Sequence, residues 1–203
     1  MNEKFFRLPE EKLQRIINGG FRVFSGSPYR KCSMQEIADA AGISKSLLFF
    51  YFRNKKELYL FLWEKASEIT ERYLEEHRCR ETDDLFEMME RGMVAKIRIM
   101  EQYPHVAQFA IRAFYEKDEA VRPEVQRNYR KKVTAGASGT LARLDPEDFR
   151  PGLDLEMMCR EMYWASEGYL WEMTQGDRVD RCRMEQDFCR LIQFWKSIYR
   201  KKE

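Results

Sequence analysis

No stretch of this 203-residue chain stays apolar for the roughly 20 residues that span a bilayer, so a membrane-spanning helix is not expected. The first residues, MNEKFFRLPEEK, lack an apolar core followed by a small-residue cleavage site, so they do not read as a secretory signal. A cytoplasmic protein is the plain expectation. Cysteine is present five times, an odd number without repeated spacing, which excludes a disulfide framework. Cys79, Cys159, Cys182 and Cys189 are expected as reduced thiols, and only Cys182, between Arg181 and Arg183, suits a redox switch. Histidine is scarce, with two. His77 and Cys79 are the closest metal-type pair, and no CxxC or HxxxH accompanies them, so no metal is expected. His105, after Pro104 at a helix start, reads as a first-turn residue rather than a catalyst. There is no Ser/His/Asp arrangement, glycine-rich phosphate loop or paired-carboxylate motif. Nothing here argues for an enzyme, and no cofactor is implied. Alternating strand patterns, internal repeats and low-complexity segments are also missing. Hydrophobic residues at 44%, with 14% aromatic, nevertheless suffice for a folded core, and helix is the one regular element the pattern supports.

The densest information lies between Ser33 and Leu58. Ser33 is a good N-cap, and Glu36 three residues on completes a capping box. Ile37 and Ala38 give the following helix a buried side. Gly42 lets the chain turn, and Ile43 anchors the turn to the core. Ser44 can cap a second helix held down by Leu47 and Leu48, leaving Lys45 and Ser46 in its first turn free to face outward. This is the layout of a helix-turn-helix, whose second helix presents its N-terminal residues to DNA bases.

The same residues resemble one family. Ile37-Ala38, Ala41-Gly42-Ile43-Ser44, Leu48, Tyr51-Phe52, Lys55 and Leu58 follow the pattern of the TetR family of bacterial transcriptional regulators over roughly the first sixty residues. Ser46 stands where that family often has glycine. Phe49 stands where it often has tyrosine, so a hydroxyl able to reach a phosphate is missing there.

Around this motif the charge is uneven. Residues 1–62 hold 11 Lys or Arg against 6 acids, a balance of +5, and the remainder carries −3. A basic head on a mildly acidic body suits a protein whose head meets phosphates. Leu13, Ile16, Ile17, Gly20, Phe21 and Phe24 recur at helical spacing after Pro9 and supply the floor for the motif. Asn54 with Glu57 repeats the capping-box pattern and starts a helix at Lys55 that runs to about Glu76. Lys55 and Lys56 sit where unpaired backbone amides already favour anions. No flexible linker separates head from body, so this helix is a plausible lever.

Beyond it the body reads as helical throughout: Asp83 to about Gln102, Val106 to Glu116, about Ala120 to Leu144, Leu155 to Met173 and Asp180 to Arg200. Two apolar stripes run along the helix from Leu155. Met157, Glu161, Trp164, Gly168 and Trp171 form one; Met158, Met162, Ala165 and Tyr169 form its neighbour. The final helix, with Phe188, Leu191, Ile192, Trp195 and Ile198, is doubly apolar too. These helices look like half of a four-helix dimer interface, with core packing as the alternative. The family resemblance implies the same use of the last two helices, and Trp-x-x-Glu-Gly-Tyr at 164–169 resembles that region. Nine of 11 methionines lie beyond residue 80, a composition that adapts to apolar ligands. Glu161 and Glu167, a turn from Trp164, could hold a lipophilic cation, or simply point to solvent or pair with Arg160.

The sequence therefore predicts an all-α protein with two domains. Residues 1–54 form a three-helix helix-turn-helix head, and residues 55–203 form a helical effector-binding and dimerisation body. The expected function is a TetR-like regulator, a repressor released from a palindromic operator by a small hydrophobic effector. The expected partners are double-stranded DNA, a second copy of the chain and that unidentified effector, with no membrane. Lys45 and Ser46 are expected at base edges, and Ser33, Ser44, Tyr51 and Lys55 at phosphates. Tyr51 could instead pack beneath the helix, and Phe49 could pack or touch a thymine methyl. Glu161, Trp164, Glu167 and Trp171 are the expected effector residues; Met158, Met162, Tyr169, Leu191 and Trp195 are the expected dimer contacts. Two rival functions remain. One is a DNA-binding dimer without an effector, its body serving only dimerisation or a protein partner. The other is a ligand-binding or catalytic helical protein whose helix-turn-helix merely packs.

Overall fold

A computed structural model describes residues 1–173 and 180–202; for residues 132–138 and 181 it describes the backbone alone. Among the described residues every regular element is a helix, and the one extended pairing is an isolated bridge between Phe149 and Arg200. The α-helices are α1 (Glu10–Gly26), α2 (Met34–Ala41), α3 (Lys45–Tyr51), α4 (Lys55–Glu76), α5 (Leu85–Gln102), α6 (Val106–Phe114), α7 (Arg122–Leu141), α8 (Leu155–Met173) and α9 (Arg181–Tyr199). The chain divides into two compact units. One comprises Met1–Ile69 with Ile99–Tyr129, and the other Thr70–Arg98 with Arg130–Glu203.

The first unit is built on aromatic rings. Ile16, Ile17, Phe21 and Phe24 of α1 are fully buried, as their spacing on one helix face requires. Phe24 meets Tyr59 edge-on with centroids 4.8 Å apart, and the Phe109 centroid lies 5.2 Å from that of Phe21 and 5.3 Å from that of Tyr59. A second cluster joins Phe5 to Phe52 at 4.9 Å and to Phe61 at 5.4 Å. It pins the short 3-10 turn Glu3–Arg7 to the end of α3 and to α4. Edge-on aromatic pairs of this kind contribute about 0.5–1.5 kcal/mol each beyond their burial.

Two glycines set how α1, α2 and α3 meet. A Cβ on Gly19 would lie 2.9 Å from the backbone nitrogen of Ala41, so α1 and α2 touch backbone to backbone there. Gly42 ends α2 at φ 66°, in the left-handed region that glycine enters without penalty. Its N–H is bonded to the carbonyls of Ala38 and Asp39, and the Ile43 N–H reaches Ala38 at 3.0 Å. This closure satisfies the last carbonyls of α2 and turns the chain directly into α3.

The second unit has its own core of Leu85, Phe86, Phe149, Met158, Met162, Ile192 and Trp195. Helices α8 and α9 run antiparallel as neighbours. The Tyr199 hydroxyl donates to Glu161 at one end, and Tyr169 packs on Phe188 at the other. Asp84 fastens the start of α5 by accepting from the N–H groups of Phe86 (2.8 Å) and Glu87 (3.2 Å), and it also accepts from Arg200 at 2.6 Å. Burial alone would raise the Asp84 pKa, but these hydrogen bonds and the Arg200 charge outweigh it and hold the carboxyl below its usual range. A carboxyl lowered in the folded state stabilises above its unfolded pKa of about 3.9 and loses that contribution as pH falls through the folded value. Asp84→Asn should therefore melt below the native chain at neutral pH. The gap should narrow as pH falls below about 4 in parallel thermal melts.

Candidate nucleic-acid interface

The helix-turn-helix is capped as its sequence dictates. Ser33 Oγ accepts the Glu36 N–H at 3.2 Å, and a Glu36 carboxylate oxygen accepts the Ser33 N–H at 2.7 Å. The same oxygen accepts a hydrogen bond from the Ser33 hydroxyl at 2.8 Å, which holds the Glu36 carboxyl below its usual range. Ser44 Oγ accepts the Leu47 N–H at 3.2 Å and lies 3.3 Å from Ser46 Oγ. Both cap serines therefore organise helix starts, and both remain exposed.

Helix α3 has two sharply different faces. Leu48 and Tyr51 are buried, whereas Lys45, Ser46, Phe49 and Phe50 are exposed. Lys45 makes no ion pair among the described residues and is free for an outside acceptor. Lys31 is in the same condition at the end of the 3-10 turn Tyr29–Lys31. Tyr51, expected at a phosphate or packed beneath α3, takes the packed position: it is 5% exposed, with its ring 5.5 Å from that of Phe5.

Lys55 has a different task from the phosphate contact expected of it. Its ammonium donates to the carbonyls of Tyr29 and Cys32, both at 2.8 Å, and of Arg30 at 3.4 Å. It also lies 4.3 Å from the centroid of the Tyr29 ring. Three donors thus meet three carbonyls, and the start of α4 is clasped to the segment leading into α2. The neighbouring Cys32 sulfur lies 3.4–3.5 Å from the carbonyls of Val23, Ser27 and Pro28, any one of which can accept its single S–H, and burial pushes the thiol up to about 11. Lys55→Met keeps the stem but leaves the carbonyls without a donor. It should lower unfolding stability by about 2 kcal/mol in urea titration, since hydrogen bonds to charged groups contribute about 1.5–3 kcal/mol.

In the second unit the two stripes of α8 exchange the places expected of them. Met158 and Met162, each 3% exposed, and Trp195 of α9, 1% exposed, lie in the unit's own core, with Leu191 packed against it. Met158, Met162 and Trp195 fill the interior of their own unit, and Leu191 stays partly exposed beside them. Met157, Trp164 and Trp171 on α8 face outward instead, as does Phe194 on α9. Trp164 and Phe194 are 58% and 57% exposed, and they lie at the same level of the antiparallel pair. Tyr169 is half-buried and donates to Asp187 at 3.1 Å; burial first, then that bond, pushes its hydroxyl up to about 12.

The four expected effector residues do not converge. Trp164 and Trp171 point out, and Glu161 is held by Tyr199. Glu167 turns inward, where burial raises its pKa against the opposing charge of Lys96. Lys96 is lowered by its own burial, and its ammonium lies 5.6 Å from the Phe188 ring centroid. Sequence patterning passes over Lys96 and Phe50. For Phe50 the signal was available, because positions 45, 46, 49 and 50 share one helix face. For Lys96 it was not, because one lysine on a helix of mixed charge looks like any surface lysine.

The family model described as bacterial regulatory proteins, tetR family, matches residues 16–61. Over 60 residues the chain is 40% identical to the HTH-type transcriptional activator FasR of Mycolicibacterium smegmatis, covering 29% of this chain and 27% of that protein. Over 55 residues it is 34% identical to the HTH-type transcriptional regulator AcrR of Shigella flexneri, covering 27% and 26%. The matched region spans about a quarter of the length of these curated relatives. A crystal structure of a TetR family transcriptional regulator from Chloroflexus aurantiacus superimposes with a TM-score of 0.67 over 99% of both chains. At 21% identity that likeness is one of fold.

Proposed function

We propose, for a chain that belongs to the TetR family of bacterial regulatory proteins, a role as a homodimeric DNA-binding transcriptional regulator acting in the cytoplasm. The observation that carries this role is the outward face of α3, with an unpaired Lys45 on a capped and rigidly seated second helix. Residues 1–54 are the DNA-binding head within the first compact unit, and residues 55–203 supply dimerisation and effector response. Lys45 and Ser46 meet base edges, with lysine donating to guanine O6 and N7. Ser33 and Ser44, with the amides they leave at the helix starts, fix the head on phosphates. Trp164, Phe194 and Met157 of two copies meet across a two-fold axis, and Tyr169 lies beside them. No catalytic group, metal or cofactor takes part in this role.

A symmetric dimer reads a palindrome when its two recognition helices stand about one DNA turn apart, roughly 34–36 Å, or a multiple of that. Such a dimer represses by occupying the operator. A small hydrophobic effector bound in the body among the methionines, with Glu167 and Lys96 at hand, releases it by favouring another head spacing. Moving the population from 99:1 to 1:99 takes about 5.5 kcal/mol of differential effector affinity. The test is transcription from a promoter overlapping the selected operator, with and without the chain. Reduced transcription, restored by an apolar compound that also lowers operator affinity, is the expected result. Increased transcription would refute repression, and a compound that binds the body without altering operator affinity would refute release.

A further inference from the structure

The outer face of α3 carries more than a cation. Lys45, Ser46, Phe49 and Phe50 share that face, opposite buried Leu48 and Tyr51. Phe49 is 42% exposed and Phe50 47%, although the nearby aromatic core is already filled by Phe5, Phe52 and Phe61. Phe50 is held in place: the Lys4 ammonium lies 5.6 Å from its ring centroid, and the Tyr51 ring 5.6 Å from its own. Two bare rings on a seven-residue helix thus sit among cations, in a head whose first 62 residues carry +5. An apolar protein groove would complement the rings and not the charge. A polyanion bearing apolar groups complements both, and in the DNA major groove the apolar group is the thymine C5-methyl.

We infer that Phe49 and Phe50 form an apolar ledge that reads thymine methyl groups beside the guanine taken by Lys45. This rests on the DNA-binding function proposed above and names the sequence class it selects. A helix rises 1.5 Å per residue, so Lys45 and Phe49 stand about 6 Å apart along α3, near two base steps of 3.4 Å. Each half-site then carries thymine within about two steps of a guanine.

Uracil differs from thymine only by that methyl, which gives a direct test. The full chain is bound at one salt concentration to its selected operator, with deoxyuridine replacing one thymine at a time. At the positions facing α3 the native chain should bind about fourfold more weakly per methyl lost, the value of one buried methylene. Phe49→Ala and Phe50→Ala, each checked by thermal melting to be folded at the binding temperature, should bind the thymine operator more weakly. Each should also lose the thymine-over-uracil preference at its own position. Equal affinity of the native chain for every uracil operator would overturn the inference and leave the DNA-binding function standing. So would a preference that persists unchanged in both variants. Failure to enrich any operator would overturn that function, and this inference with it.

Discussion

Replacing Trp164 and Phe194 together by glutamate should convert the chain to a monomer at micromolar concentration and weaken operator binding by at least a hundredfold. Both rings are more than half exposed, and they sit level on adjacent antiparallel helices. In a two-fold dimer each ring occurs twice, and fully burying an exposed side chain of this size contributes about 1.5–3 kcal/mol, of which roughly half is still to be gained here. Four buried rings therefore account for several kilocalories per mole of association, and four carboxylates in their place would repel. A monomer grips one half-site and forfeits the second, which is why the loss on DNA should be large. Sedimentation at several concentrations reads the oligomeric state, and helix content checks that the fold survives. A variant that remains dimeric would place the interface on another surface.

The complementary prediction concerns Trp195, the largest fully buried side chain. Trp195→Ala should cost about 3–5 kcal/mol of unfolding free energy, the usual range for removing a large aromatic from a core. Its ring is packed with Leu85, Phe86, Phe149 and Ile192, and their contacts would be lost to a cavity. Dimerisation adds to apparent stability, so the comparison is made in the Trp164→Glu/Phe194→Glu background at fixed protein concentration. There Trp195→Ala should still lower the urea midpoint by its full amount, whereas further surface changes on α8 should stay within about 0.5 kcal/mol. A Trp195→Ala effect that vanished in the monomer would show that this ring serves the interface after all.

These two tryptophans mark where sequence stops being informative. Period 3.6 showed that α8 is apolar on two stripes, and its bounds, Leu155–Met173, follow from that pattern. Nothing in the pattern says which stripe meets the chain's own core, because that depends on how α5 and α9 approach. Lys55 shows the same limit. The three carbonyls that accept its hydrogen bonds come from Tyr29, Arg30 and Cys32, more than twenty residues earlier, while its place at a helix start suggested an anion. Asn54 Oδ1 accepts the Glu57 N–H at 2.9 Å as expected, and only the return bond differs: the Glu57 carboxylate accepts the N–H of Arg53 at 2.7 Å rather than that of Asn54. By contrast the helix-turn-helix was legible almost residue by residue. Its caps at Ser33 and Ser44 and its turn at Gly42 are local chemistry, settled within four residues.

On the function proposed here, α3 reads DNA through Lys45. The most direct measurement is selection from a random duplex pool by the full chain and by Lys45→Ala in parallel, at one stated salt concentration. An enriched palindrome is expected for the native chain. The variant should lose a specific guanine from each half-site, with discrimination there falling by about 1–3 kcal/mol. A folded, dimeric chain that enriches no sequence, or a variant that enriches the same sequence equally well, would contradict it.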